Sequence, residues 1–110
     1  FSGMAGSRIP IAVAHGEGLA DFSQRGDAAA VHEAMRFVDG AGRPATAYPA
    51  NPNGSPGGLT AVTTPDGRFT VLMPHPERVL RNAQMSWTSG SVDEMSPWLR
   101  MFRNARAWVG

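Results

Sequence analysis

Apolar and polar positions along the chain change period several times, and each change marks an element. From Ile9 to Ala14 larger and smaller apolar residues alternate, the pattern of a buried strand, which stops at the glycine-bracketed turn His15-Gly16-Glu17-Gly18. Asp27, followed by three alanines, Val31, His32, Glu33 and Ala34, reads as a short helix with Asp27 as its N-cap. Met35 to Val38 then reads as a strand closing at Asp39-Gly40-Ala41-Gly42, with a second extended piece from Arg43 to Tyr48.

Ala50 to Gly58 packs Asn-Pro, Asn-Gly, Ser-Pro and Gly-Gly pairs together and is a loop. Asparagines and prolines give it a fixed shape, with side chains bonded to nearby backbone rather than the freedom of a Gly/Ser linker. Leu59 to Thr64 and Arg68 to Met73 are expected to form a hairpin across Pro65-Asp66-Gly67, where glycine can take a positive φ. The chain ends in an expected helix with Ser96 as N-cap and Pro97 at its first position. Trp98, Met101, Phe102, Ala105, Trp108 and Val109 recur at helical spacing as one buried face, while Arg100, Arg103 and Asn104 point elsewhere, with the arginines solvated.

At 110 residues and 42% hydrophobic content, the chain is the size of one small globular domain. It opens on Phe1-Ser2-Gly3-Met4, and its apolar runs are far shorter than the roughly 18 residues of a membrane span. A soluble segment of a longer chain is the expectation. The net charge of +1 is spread without a block of either sign, which argues against nucleic acid or a membrane as partner. All ten basic residues are Arg, which excludes a Schiff-base or Walker-type lysine from this segment, and the absence of Cys excludes a thiol nucleophile and thiolate metal sites within it.

The densest chemistry lies at Met73-Pro74-His75-Pro76-Glu77-Arg78. Two prolines stiffen the backbone around His75, and in extended geometry residues two apart project to the same side, which would set the imidazole beside the Glu77 carboxylate. A carboxylate that accepts from one ring nitrogen fixes the tautomer and frees the other nitrogen to move a proton, the roles of general base and orienting partner. The structural alternative is a turn histidine with Glu77 paired to Arg78 or Arg81. No Ser or Thr has a nucleophile-elbow context, so such a pair lacks its third member here. His15-Gly16-Glu17 repeats the His-x-Glu pattern. A metal-dependent enzyme using His15, Glu17, His75 and Glu77 is therefore a rival, although neither pair carries a further spaced ligand and the expected metal set is none. A non-catalytic interaction module is a third reading. His32 reads as an ordinary histidine.

Together, Val-Ala-His-Gly-Glu-Gly at 13–18, the 48–58 loop, the hairpin running into Met-Pro-His-Pro-Glu-Arg, and Ser-Pro-Trp-Leu-Arg-Met-Phe-Arg-Asn-Ala-Arg at 96–106 resemble the extreme C-terminus of the large, single-chain phosphoribosylformylglycinamidine synthases of bacteria. The resemblance covers nearly the whole chain. It implies an α/β fold, the C-terminal segment of a class I glutamine amidotransferase (flavodoxin-like) domain, with residues 1–110 following the part that bears the nucleophile. It further implies a Cys-His-Glu triad with His75 and Glu77 in the last two places, and a possible glutaminase pocket near His15, Glu17, Asn51, Asn53 and Ser55. The implied partners are L-glutamine, the upstream Cys-bearing segment and a synthetase domain of the same polypeptide. ATP and Mg2+ would act in that synthetase domain and no cofactor in this segment, and the location implied is cytoplasmic.

Overall fold

A computed structural model describes residues 1–14, 16–90 and 93–110. They form two compact units: Val13–Pro74, and Phe1–Ala12 together with His75–Gly110. None of the described helices is long and apolar enough to cross a membrane.

The 13–74 unit holds an antiparallel sheet of β1 (His32–Arg36), β2 (Leu59–Thr63) and β3 (Thr70–Leu72), in that order. β2 and β3 form the expected hairpin, with Ala61 opposite Leu72 and Thr63 opposite Thr70. Gly67 takes φ +70° and its amide returns to the Thr64 carbonyl at 2.9 Å, while Asp66 accepts from the Thr64 hydroxyl and the Arg68 amide. These are the local bonds that fix hairpin register before any packing is made.

The expected helix from Ala28 to Ala34 is corrected to a single 3-10 turn, Ala28–Ala30, followed directly by β1. Asp27 does cap it, accepting from the Ala29 amide at 2.8 Å. Alanine propensity amounts to a fraction of a kcal/mol per residue, and pairing of His32–Arg36 with β2 overrides it. His32 therefore lies in a strand, exposed. The extended piece after residue 42 is likewise reduced to one bridge, between Val38 and Pro44, before the chain turns at 47–51. Phe37, Ala45, Leu59 and Ala61 are buried in this unit. Gly58 sits among them at φ +71°, and a Cβ there would lie 2.6 Å from the Phe37 carbonyl oxygen, so only glycine allows that approach.

In the other unit, the strand expected over Ile9 to Ala14 is a single bridge from Ala12 to His75. Pro10 has no N–H to offer a ladder, which limits regular pairing there. The final helix, α1, runs Leu99–Val109, with Ser96 and Pro97 in the turn that leads into it. Its expected buried face is corrected. Trp98, just before the helix, is buried at 4% exposure, but Phe102, Trp108 and Val109 are exposed. The opposite side makes the anchoring bonds: Arg100 Nε and Asn104 Nδ2 both donate to the Ser2 carbonyl, at 3.2 and 2.8 Å. Spacing defines a face, and tertiary packing decides whether it is covered.

Candidate functional site

β3 ends at Leu72, and Met73 and Pro74 carry the chain to His75. Pro74 and Pro76 are both buried, so the rings that flank the histidine also anchor it. The His75 amide donates to the Ala12 carbonyl at 2.8 Å, and the Arg78 amide returns to the His75 carbonyl at 3.1 Å, closing a 3-10 turn over Pro76–Val79.

His75 Nδ1 and Glu77 Oε1 lie 2.8 Å apart. The route to this contact differs from the sequence expectation. His75 has φ −113° and ψ 79°, and Glu77 is already inside the 3-10 turn, so a tight turn rather than strand alternation brings the side chains together. Proline at the first turn position suits this, because its missing N–H has no partner to lose there. The bond from the His75 ring, followed by a backbone amide bond, holds the Glu77 carboxyl below its usual range. An ionised carboxylate only accepts, so the proton in this bond belongs to Nδ1, and Nε2 is left with the lone pair that can take a proton.

Neither arginine displaces the histidine. Arg78 Nε stands 4.0 Å from the same Glu77 oxygen, and Arg81 Nε lies 3.9 Å from Glu94 instead. His75 keeps 29% of its side chain exposed and Glu77 53%, so the pair is open to a reactant.

In the 13–74 unit, the structure gathers Asn51, Asn53 and Ser55 into one network. Asn51 Nδ2 donates to the carbonyls of Ala45 and Ser55 at 3.1 and 2.8 Å, and its Oδ1 accepts from the Gly54 amide at 2.9 Å. Asn53 Nδ2 donates to the Gly18 carbonyl at 2.7 Å, and Ser55 Oγ accepts from the Ala20 amide at 2.9 Å. The loop thus holds the segment that follows Glu17. Glu17 itself is exposed, and His15 lies outside the described residues. Among the described residues no three His, Cys, Asp or Glu side chains gather as metal ligands.

A family model for the CobB/CobQ-like glutamine amidotransferase domain matches residues 1–109. The chain belongs to that family. Its small antiparallel sheet and C-terminal helix are the α/β structure of a segment of this amidotransferase domain. Membership makes glutamine amide transfer the reaction class and glutamine the substrate.

Sequence spacing does not point to the long-range bonds that Ser96 and Trp98 make. Local spacing predicts a cap at Ser96 and one member of an apolar face at Trp98. Ser96 Oγ donates to the Val79 carbonyl, and Trp98 Nε1 donates to the Pro10 carbonyl at 2.7 Å. The available signal was the indole itself, since a buried Trp N–H requires an acceptor.

Proposed function

We propose that this chain contributes the proton-transfer pair of a class I glutaminase in phosphoribosylformylglycinamidine synthase, in which ammonia from glutamine amidates formylglycinamide ribonucleotide during purine biosynthesis. The observation that supports it is the 2.8 Å contact between His75 Nδ1 and an ionised Glu77 on a proline-framed turn. Membership of a glutamine amidotransferase family supports the reaction class, and the resemblance of the 13–18, 48–58 and 96–106 motifs supports the particular synthase.

The chain contains no cysteine, so the proposal places the nucleophile on a segment outside these 110 residues. His75 Nε2 takes the thiol proton, and the sulfur attacks the carboxamide carbon of glutamine. As the tetrahedral adduct collapses, the C–N bond breaks and the protonated imidazole passes its proton to the departing ammonia, leaving a thioester. Water then attacks that thioester with His75 again as base, releasing glutamate and the thiol. Glu77 keeps the ring in the required tautomer and stabilises the transient imidazolium. ATP and Mg2+ belong, in this reading, to the separate synthetase domain, where ammonia is consumed.

In the complete enzyme, His75→Ala should lower glutamine-dependent synthesis by about 10²- to 10⁴-fold, the usual contribution of a positioned acid–base group. Synthesis supported by added ammonium salts should persist. Unchanged glutamine-dependent turnover in this variant would rule the reading out.

A further inference from the structure

We propose that Ser96 and Trp98, at the entry to α1, are positioning residues that hold the His75–Glu77 pair in its productive geometry, an inference that rests on the glutaminase reading above. A closed ring of hydrogen bonds carries it. From Ala12 the ring crosses to His75, whose amide donates to the Ala12 carbonyl at 2.8 Å. It follows the 3-10 turn to Val79, whose carbonyl accepts from Ser96 Oγ, and the Ser96 amide donates to the next carbonyl, that of Leu80, at 2.7 Å. Two residues on, Trp98 Nε1 donates to the Pro10 carbonyl at 2.7 Å, which closes the ring through Ile11 back to Ala12.

Each bond has a physical reason to be rigid. Carbonyls at the end of a short helical turn have no partner within it, and Ser96 satisfies two of them with its hydroxyl and amide. Ser96, Trp98 and Val79 are buried at 3, 4 and 5% exposure, so water does not readily replace a lost partner. Ser96 Oγ also accepts from the Trp98 amide at 3.2 Å, joining the two positioning groups directly. His75 is therefore fixed from its amide side and Glu77 from the far end of its turn. Both constraints converge on one tripeptide, Ser96-Pro97-Trp98, more than a dozen residues beyond Glu77 in sequence. Without the Ser96 hydroxyl and Trp98 indole bonds, the Val79 and Pro10 carbonyls lose their side-chain partners, backbone bonds alone hold the turn, and the Glu77 carboxylate can drift from Nδ1.

The test uses the complete enzyme with Ser96→Ala, Trp98→Phe and Ser96→Thr. Competent sites are counted by covalent labelling of the nucleophilic thiol with an alkylating ketone analogue of glutamine. Small misplacements of a catalytic group can cost up to about 10²-fold, so Ser96→Ala and Trp98→Phe should each lower glutamine-dependent kcat per labelled site by at least about tenfold. KM for glutamine should move little, ammonia-dependent synthesis should be retained, and Ser96→Thr, which keeps a hydroxyl, should recover most of the rate. Leu59→Ala is the control for general destabilisation: it removes a buried side chain from the other compact unit and should lower Tm without changing the rate per labelled site. Full rate per labelled site in both Ser96→Ala and Trp98→Phe overturns the positioning role even where their melting temperatures fall. If His75→Ala also retains glutamine-dependent synthesis, the glutaminase reading itself is lost. If His75→Ala is dead while the ring variants are fully active, only the positioning inference fails.

Discussion

Two proline-punctuated segments of this chain spend their polar groups in opposite ways. In the 51–58 loop, Asn51 and Ser55 are buried at 3 and 1% exposure, and their side-chain atoms bond to backbone close by or to the Ala20 amide. In the 75–79 turn, His75 and Glu77 are partly open, and the bond they share leaves one ring nitrogen uncommitted. A polar group that is buried with its bonding capacity used acts as framework. A polar pair that is exposed, held by its backbone and only half satisfied is equipped for proton transfer.

The largest effect that would sharpen this contrast comes from the turn. Glu77→Gln in the complete enzyme keeps the shape of the side chain but removes the charge that favours Nδ1–H and the imidazolium. Glutamine-dependent kcat should fall by about 10²-fold or more, by analogy with loss of the orienting carboxylate in other triads, while the melting temperature stays close to that of the parent. A drop in Tm with little loss of rate would make Glu77 a framework residue and erase the distinction.

The loop should show the reverse. Asn51→Ala leaves the Ala45 and Ser55 carbonyls and the Gly54 amide without their side-chain partner. Stranding the two buried carbonyls costs about 1–3 kcal/mol, which for a domain of this size lowers Tm by several degrees. Calorimetry measures it directly. Measured where the variant remains folded, KM for glutamine decides whether the loop only supports its surroundings or also meets the substrate. A marked rise there would move Asn51 from framework to binding pocket.

How much of this was legible in the sequence follows from the range of the bonds involved. The hairpin and the fixed loop could be read because Asp66, Gly67, Asn51 and Asn53 act on backbone within a few residues of themselves. The dyad is legible because two prolines narrow its backbone choices, although they produce a tight turn where residue spacing predicts extended chain. What could not be read depends on distant partners. Alanines at 28–30 suggested a longer helix until β2 claimed the residues after them. The six-residue apolar pattern from Trp98 to Val109 specified a face of α1 but not its cover. The bond from Trp98 to Pro10 spans 88 residues, and no local pattern encodes it.

The smallest effect lies in the response to acid, and it separates the two segments by charge alone. Glu77 has a folded-state pKa below its unfolded value of about 4.3, so its contribution is present above that value and is lost as pH falls through the lower folded one. Asp21, Asp39 and Asp66 are lowered by their own local hydrogen bonds and lose their contributions in the same direction. Asp21, Asp66 and Glu77 are exposed and Asp39 is partly so, and each contribution is modest and screened by salt. Melts between about pH 5 and pH 2 should therefore show a gentle acid limb that Glu77→Gln makes shallower. Asn51→Ala should shift the whole curve down without changing its slope, because an amide does not titrate in this range. An acid limb equally steep in the parent and in Glu77→Gln would mean that the carboxylate gains nothing from His75 in solution, and the turn would then have to be regarded as framework like the loop.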